Sequence, residues 1–332
     1  MIGNAKAGAD VSITGLGVKV PDRVVTNDEL SQYVDTSDEW IRERTGIRER
    51  RIASDTEALS DLALPATRDA LAMAGVDAKD VDLVIVATVT PDMMFPSTAA
   101  LVADAIGATD AAAYDLSAGC TGFMYALAQA YAMLAGGLAH RALVVGGDVL
   151  SRLFDWTDRS TLVLFGDGAG AVVLESAPQQ GFLGFELGAD GGGGESLWLP
   201  GSGSRNFDEA DRRIKMNGRE VFKFATRVLV QSAQDILAKA GLTIDDVDLY
   251  IPHQANVRII DHATRKLGVP SEKVVINVDR YGNTSSGSIP LGLADALADG
   301  RLQKGRLVLM TGMGAGLTWG SALMRWTMEA AA

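Results

Sequence analysis

The only cysteine of the chain, Cys120, lies where a thiol could act as a nucleophile. It follows a strand-like segment, AAAYDL (residues 111–116), and a short turn, SAG. It precedes TGFMYALAQAYAMLAGG (121–137), in which apolar residues recur every three or four positions, as in a buried helix. Free N–H groups and the dipole at the start of a helix favour an anion. The pattern therefore predicts a reactive thiol with a pKa below its usual value of roughly 8.5, and an inert buried cysteine is the alternative.

Two residues with hydrogen-bonding side chains follow later strand-like segments. Among the three histidines, His253 comes directly after VDLYI (247–251), and ligands bind at the carboxyl ends of parallel strands. His140 lies in a loop before a strand, so a structural role is predicted for it. His262 lies in a charged helical stretch, so a surface position is predicted for it. Asn283 follows VVINV and precedes a helix, although a simple turn or a helix cap would also explain it.

The chain contains the same structural unit twice. DALAMAGVDAKDVDLVIV (69–86) is similar to DILAKAGLTIDDVDLYIP (235–252), and each is typical of a helix end, a glycine stop, an acidic turn and a buried strand. Further along the chain, matching residues of the two halves are separated by the same number of residues, and both halves close with a related glycine string. The symmetry of such a duplication brings equivalent strand ends together, so the side chains of Cys120, His253 and Asn283 are predicted to meet.

Strand-like and helical segments alternate in each half. Segments that are apolar throughout and are joined by helices predict mostly parallel sheets covered on both faces. The predicted division lies between residues 1–178 and 179–332, and a long loop or lid near a site is predicted for 191–213. The predicted strands are VSITGLGV, VDLVIVATV, AAAYDL, RALVVGGD and AGAVVLE in the first half, and FLGFELGAD, VDLYIP, KVVINV, RLVLMTG and SALMRW in the second.

Composition and charge limit the kinds of function. A chain of 332 residues fits two domains or one duplicated domain, and no apolar run approaches the ~18 residues that a membrane span needs. The start lacks the pattern of a secretory signal, and one cysteine cannot form an internal disulfide or a CxxC metal site. A cytoplasmic protein without a metal is therefore predicted. The net charge of −12 argues against nucleic-acid and membrane binding.

An anionic substrate would need a local basic patch on this acidic chain. RERTGIRERR (42–51) is one candidate, although a solvated surface is the ordinary explanation of such a run. The glycine strings GDGAG (166–170) and GMGAG (312–316) do not fit the GxGxxG fingerprint, because strands rather than helices follow them. A dinucleotide site is therefore not predicted. The strings instead predict hairpins whose backbone approaches another group closely, the second supplying an N–H to an oxyanion.

With these motifs the sequence resembles the β-ketoacyl-acyl-carrier-protein synthase III family, decarboxylating condensing enzymes with a thiolase fold. The likeness runs from Val11 to Trp326. It is carried by TSDEWIRERTGIRERRIA, FPSTAA, DLSAGCTGF, DWTDRSTLVLFGDGAGAVVLE, MNGREVFKFA, PHQANVRII, NVDRYGNTSSGSIP and GAGLTWGSAL. The resemblance implies an α/β thiolase-like fold whose duplicated βαβαβαββ halves form a five-layered αβαβα arrangement. It also implies a homodimer without a cofactor that condenses a short acyl-coenzyme A with malonyl-acyl carrier protein, initiating fatty acid synthesis.

The resemblance implies roles for individual residues. Cys120 would be the acylated nucleophile, and His253 and Asn283 would complete a Cys-His-Asn triad. The backbone N–H groups of Cys120 and Ala315 would form the oxyanion hole. Coenzyme A would bind at Trp40, Arg44 and Arg159. The acyl pocket would include Met313 and Phe95, and Phe95 would reach it across the dimer interface. The carrier protein would bind at Lys223, Arg258, Arg265 and Lys266. Met313 departs from the family, which often has phenylalanine at that position.

Three other functions are compatible with parts of this pattern. A related enzyme could start a secondary-metabolite chain or transfer the acyl group to another acceptor. A cysteine thioesterase would use the same nucleophile with water, but it would need a general base near Cys120 and would leave the basic patch unexplained. A non-catalytic partner of the same fold would have no reason to keep Cys120, His253 and Asn283 together.

Overall fold

The computed structural model describes residues 10–176, 181–208 and 211–329. The predicted division between residues 178 and 179 lies outside the described residues and stays a prediction. The strands are β1 (Val11–Lys19), β2 (Val24–Thr26), β3 (Glu49–Arg51), β4 (Leu83–Ala87), β5 (Ala112–Leu116), β6 (Arg141–Asp148), β7 (Gly168–Ser176), β8 (Phe182–Ala189), β9 (Leu197–Trp198), β10 (Lys215–Met216), β11 (Leu249–Pro252), β12 (Leu307–Gly314) and β13 (Thr318–Arg325). The helices are α1 (Asn27–Leu30), α2 (Asp38–Thr45), α3 (Leu59–Ala74), α4 (Thr98–Ile106), α5 (Gly122–Ala135), α6 (Arg159–Leu162), α7 (Gly218–Ala240), α8 (Val257–Leu267), α9 (Val278–Tyr281) and α10 (Ser288–Ala298).

Two sheets with matching topology organise the chain. The first has the strand order β1-β7-β6-β4-β5, and the second has the order β8-β13-β12-β11. In the first sheet β4 runs parallel to β5 and β6, and β6, β7 and β1 pair antiparallel. In the second sheet β11 runs parallel to β12, and β12, β13 and β8 pair antiparallel. The equivalence of the two orders confirms the predicted duplication.

Helices α5 and α10 form a layer between the two sheets. Helix α5 contacts β4 and β6 on one side and β13 on the other, and α10 contacts β1 and β11. Phe123, Leu127 and Leu293 in this layer have no exposed surface, as expected of helices that are apolar on nearly all sides. Helices α3 and α4 cover the outer face of the first sheet, α7 covers the second, and α8 packs on α7. This order of layers confirms the predicted αβαβα fold.

The predicted strand KVVINV (273–278) is wrong. Lys273 ends a 3-10 turn and Val278 begins α9, so pairing with β11 is limited to a single bridge between Tyr250 and Val274. The side chain of Gln254 replaces the missing strand pairing. Its amide nitrogen donates to the carbonyl oxygens of Pro252 and Val275, at 2.8 and 3.0 Å.

The oxygen of the Gln254 carboxamide also takes the place of strand pairing. It accepts from the backbone N–H groups of Asn277 and Val278, at 2.9 and 3.2 Å. A side chain thus satisfies backbone groups that a neighbouring strand would otherwise pair. The segment it holds leads directly to Asn283, which ties the placement of that residue to Gln254.

We expect Gln254→Ala to lower the free energy of unfolding by about 2–4 kcal/mol, because it leaves buried backbone groups without partners. Urea denaturation followed by circular dichroism measures this. Gln231→Ala is the matched control, since Gln231 is exposed on α7 and its amide nitrogen donates to the carboxylate of Asp235. Equal effects of the two substitutions would contradict this account of the segment.

Candidate active site

Cys120 lies in a 3-10 turn, Gly119–Thr121, between the carboxyl end of β5 and the first residue of α5. A second turn, at the end of β12, touches it backbone to backbone. A Cβ atom on Gly119 would come within 2.9 Å of the Ala315 nitrogen, and one on Gly314 within 2.5 Å of the Cys120 nitrogen. Gly119 also has a φ of 57°, in the left-handed region that favours glycine. Glycine at both positions therefore allows the backbone at Cys120 and the backbone at Ala315 to lie in close contact.

The sulfur of Cys120 is held in a protonated state. The residue is 8% exposed, and burial raises the pKa of the thiol to about 11. The nearby Ser285 hydroxyl and the backbone N–H groups of Cys120 and Ala315 lower this pKa, but by less than burial raises it. The predicted lowering of the thiol pKa is therefore wrong, because desolvation outweighs the favourable N–H groups.

His253 follows β11 and is 1% exposed. Its backbone N–H donates to the carbonyl oxygen of Thr311 at 2.7 Å, which fixes the start of the loop. Its Nδ1 atom lies 2.6 Å from Oγ of Ser288, whereas its Nε2 atom is buried without a hydrogen-bond partner among the described residues. Burial lowers the pKa of the imidazole to about 4, so the ring is neutral at physiological pH.

Asn283 is held by its backbone and by one end of its side chain. Its N–H donates to the Leu164 carbonyl at 2.9 Å, and its carbonyl accepts from the N–H of Gly166 at 3.0 Å. Its Oδ1 atom accepts from the backbone N–H of Ser285 at 2.9 Å. In a carboxamide only the oxygen can accept a hydrogen bond from an N–H group, so Oδ1 is the atom that Ser285 occupies. The NH₂ group of Asn283 remains available to donate a hydrogen bond into the pocket that the residue lines.

The buried carboxyl group of Asp148 ties the turn after Asn283 to the first sheet. One oxygen accepts from the hydroxyls of Thr88 and Thr90, at 2.8 and 3.0 Å, and the other from the hydroxyl of Ser286 at 3.1 Å. Burial raises the pKa of this carboxyl. These contacts join the ends of β4 and β6 to the second half of the chain.

The side chains of Cys120, His253 and Asn283 line one pocket of about 150 Å³, together with Met313. The structure thus brings together the three residues that the sequence predicted to meet, one from the first half and two from the second. Neutral hydrogen-bonding groups from His253 and Asn283 face a space that also contains the sulfur of Cys120. A thioester placed there would be within reach of both.

A second pocket, of about 160 Å³, also contains Cys120 and is almost entirely apolar. Sequence reasoning singled out Cys120 and Ala315 but missed the apolar side chains of this pocket, because an apolar side chain carries no chemical signature of its own. The only signal was the predicted loop 191–213, whose residues contribute to the wall. The lining residues are Val89, Gly119, Cys120, Leu150, Leu153, Phe165, Leu197, Trp198, Leu199, Ile214, Ser285 and Ala315.

Three of the predicted residues form a stacked cluster on the surface. The guanidinium carbons of Arg44 and Arg159 lie 5.0 and 4.8 Å from the centre of the Trp40 ring. Arg159 also donates to the carbonyl oxygen of Asp35 at 2.7 Å, which holds its side chain in place. The cluster therefore combines a flat aromatic surface with two cations, the combination that suits a phosphorylated nucleotide.

The remaining predicted residues are exposed. Lys223 lies on α7, and Arg258, Arg265 and Lys266 lie on the adjacent helix α8. Phe95 is 86% exposed and lines neither of the two pockets described above. Among the described residues no group of three or more His, Cys, Asp or Glu side chains could hold a metal ion. In the same residues we find no helix with the length and apolar character to cross a membrane.

Fold and site together define the class of protein. A duplicated five-layered fold with a cysteine at a strand–helix turn, facing a histidine and an asparagine from the other repeat, is that of the thiolase-fold condensing enzymes. Sequence models of the 3-oxoacyl-[acyl-carrier-protein] synthase III family match residues 114–191 and, for the C-terminal part, 237–326. The chain belongs to this family, and it is an acyltransferase.

Individual relatives cover nearly the whole chain. The beta-ketoacyl-[acyl-carrier-protein] synthase III of Symbiobacterium thermophilum is 54% identical over 95% of this chain and 98% of its own. The crystal structure of the synthase III from Thermus thermophilus has 50% identity and a TM-score of 0.91, covering 96% of this chain and 100% of that one. The priming beta-ketosynthase of the R1128 polyketide pathway has 37% identity and a TM-score of 0.91, covering 96% and 97%.

The raised thiol pKa predicts how the free protein reacts with iodoacetamide. Because only the thiolate is alkylated, the rate should rise about tenfold per pH unit from pH 7 to 10 without a plateau. Intact-mass measurement of alkylation gives this rate, and labels that appear in the wild type but not in Cys120→Ala report the only thiol of the chain. The urea-unfolded chain is the control and should level off above pH 9. A plateau near pH 8 in the folded protein would show that burial does not control this thiol.

Proposed function

We propose that this chain condenses a short acyl-coenzyme A primer with malonyl-acyl carrier protein to give a β-ketoacyl-acyl carrier protein, the step that initiates fatty acid synthesis. The observation that carries the assignment of residues is the shared pocket of Cys120, His253 and Asn283. The proposed reaction needs no cofactor, because the loss of carbon dioxide drives it. A cytoplasmic enzyme is implied, since the thiol must remain reduced.

The first step transfers the primer to Cys120. The sulfur attacks the thioester carbonyl, and the oxyanion that forms accepts hydrogen bonds from the backbone N–H groups of Cys120 and Ala315. One such donor is worth about 3 kcal/mol in other enzymes. The bond between the carbonyl carbon and the coenzyme A sulfur then breaks. The proton of the Cys120 thiol is balanced by the one that the departing coenzyme A thiolate takes up.

The second step uses His253 and Asn283 as hydrogen-bond donors. Nε2 of His253 and the NH₂ group of Asn283 donate to the carbonyl oxygen of the malonyl thioester. Loss of carbon dioxide leaves an enolate on that oxygen, so both hydrogen bonds strengthen as negative charge develops. The enolate carbon attacks the acyl carbon on Cys120, a carbon–carbon bond forms, and the Cys120 thiolate leaves. This role requires a proton on Nε2 of a neutral imidazole.

Substrate contacts are proposed for two surface regions. The Trp40, Arg44 and Arg159 cluster would bind the adenine and phosphates of coenzyme A, since it offers a flat ring and two cations. The exposed cations on α7 and α8 would bind the acidic carrier protein. On a chain with a net charge of −12, such a local patch is what allows an acidic partner to approach.

A homodimer is proposed from an exposed apolar loop. Met93, Met94 and Phe95 are 46%, 70% and 86% exposed, and a cluster of this kind needs a partner to cover it. In the dimer Phe95 would close the apolar pocket of the other chain, which holds the primer.

Met313 lines the pocket of Cys120, His253 and Asn283. It would therefore set the space around the reacting acyl carbons.

A second candidate keeps the same nucleophile and fold but differs in its substrates and product. The 37% identity to a priming ketosynthase of polyketide synthesis favours an enzyme that starts a secondary-metabolite chain. Acyl transfer to Cys120 is common to both, and the preferred primer and acceptor separate them. Steady turnover of acetyl-coenzyme A with malonyl-acyl carrier protein supports the primary role, and clear preference for another acceptor excludes it.

Intact-mass measurements should separate the two steps of the reaction. After mixing with acetyl-, isobutyryl- and hexanoyl-coenzyme A, the wild-type chain should gain one acyl mass and Cys120→Ala none. His253→Ala and Asn283→Ala should still be acylated but should release carbon dioxide from malonyl-acyl carrier protein about 10²–10³-fold more slowly. If His253→Ala blocked acylation instead, the proposed division of roles would be wrong.

Charge reversal tests the carrier-protein surface. Arg258→Glu should raise KM for malonyl-acyl carrier protein by about tenfold at low salt, with a smaller effect at high salt because exposed charges are screened. The rate of acylation by acyl-coenzyme A should not change. Lys79→Glu is the matched control. Lys79 is exposed and precedes the amino end of β4, whereas Cys120 follows the carboxyl end of the parallel strand β5. The same KM increase in both variants would exclude a local patch.

A further inference from the structure

The hydroxyl group of Ser288 has no role in the reaction as described so far. Ser288 is the first residue of α10 and is 1% exposed. Its Oγ atom lies 2.6 Å from Nδ1 of His253 and 3.4 Å from the backbone nitrogen of Gln254. These are the only two hydrogen bonds of this hydroxyl among the described residues.

The two contacts decide where the hydroxyl proton lies. The N–H of Gln254 is a donor only, so Oγ of Ser288 accepts from it. A hydroxyl has a single proton, and in the part of the chain that the structure describes Nδ1 of His253 is the one acceptor within hydrogen-bond distance. If Nδ1 carried a proton instead, the oxygen would face two donors and its own proton would have no acceptor.

The position of that proton fixes the state of the imidazole. A neutral ring carries one proton, and Nδ1 is occupied as an acceptor, so the proton is on Nε2. Nε2 is buried, has no hydrogen-bond partner among the described residues, and belongs to a side chain that lines the pocket with Cys120. An N–H donor without a partner thus faces the place proposed for the thioester oxygen.

We propose that Ser288 is a positioning residue that holds His253 as the Nε2–H tautomer. His253 can then donate to the malonyl thioester oxygen, and it cannot accept the proton of Cys120 from the pocket side. This inference deepens the proposed function and rests on it for its catalytic consequence. The tautomer itself does not depend on any activity and can be measured separately.

Nitrogen NMR of the full-length protein labelled with ¹⁵N-histidine tests the tautomer. The chain has three histidines, and His140→Gln and His262→Gln assign the signals of His253. In the wild type, Nδ1 of His253 should show the shift of an unprotonated nitrogen and Nε2 that of a protonated one. Ser288→Ala should give a mixture of tautomers, and Ser288→Thr should restore the wild-type spectrum. A protonated Nδ1 in the wild type would overturn the proposal, whatever the activity.

Rates of the two steps separate positioning from general damage to the fold. In Ser288→Ala the release of carbon dioxide should fall roughly tenfold, the effect of losing one hydrogen bond, while acylation of Cys120 should not change. Ser288→Thr should recover most of the rate. Ser232→Ala is the matched control, because Ser232 is also buried and pairs with the hydroxyl of Ser321 on the outer side of the second sheet.

Each outcome of these experiments bears on one claim. Equal slowing of acylation and decarboxylation by Ser288→Ala, or equal slowing in Ser232→Ala, would overturn the positioning role. If Ser288→Ala does not fold, as judged by circular dichroism, the spectra of the wild type and of Ser288→Thr still decide the tautomer. If the wild type shows the Nε2–H tautomer but releases no carbon dioxide from malonyl-acyl carrier protein, the proposed function fails and the tautomer assignment stands.

Discussion

The contact between two turns, one from each half of the chain, is the constraint on which the site depends. Gly119 and Gly314 allow the backbone at Cys120 and Ala315 to approach more closely than any side chain would permit. Two N–H groups from distant parts of the sequence then lie beside one sulfur atom. Backbone donors held in this way need no reorganisation when charge develops on a substrate oxygen, which is why such an arrangement is catalytically useful.

Burial sets the charge states of the titratable side chains of Cys120 and His253. The thiol of Cys120 stays protonated and the imidazole of His253 stays neutral, because the surrounding apolar layers disfavour either charge. A neutral donor suits an oxygen that gains negative charge only during the reaction. A carboxylate in place of His253 or Asn283 would repel the enolate of the proposed reaction. On the proposed mechanism the neutral donors therefore stabilise the negative charge of the transition state more than they stabilise the bound substrate.

The central helices make this burial possible. Helices α5 and α10 are apolar on nearly all sides and separate the two sheets, so residues at their first turns are covered by both halves. Several polar groups near these turns pair with one another, as in the contacts of Asp148 with Thr88, Thr90 and Ser286. Ser288 belongs to the same set, since its hydroxyl links the start of α10 to His253. The packing that excludes water thus also orients the side chains that line the pocket of Cys120.

The sequence alone determined the duplication, most of the strands and the meeting of Cys120, His253 and Asn283. Periodicity, glycine stops and residues at strand ends are local features, and symmetry between the repeats extends them to the whole fold. Tertiary structure decided the rest. The segment 273–278 does not pair as a strand because Gln254 bonds to its backbone, and the pKa of Cys120 rises because layers far apart in the sequence exclude water from it. Apolar residues of the second pocket, such as Leu150 and Phe165, could not be singled out either. Desolvation and the shape of a pocket depend on which side chains meet in space, and no local pattern of residues encodes that.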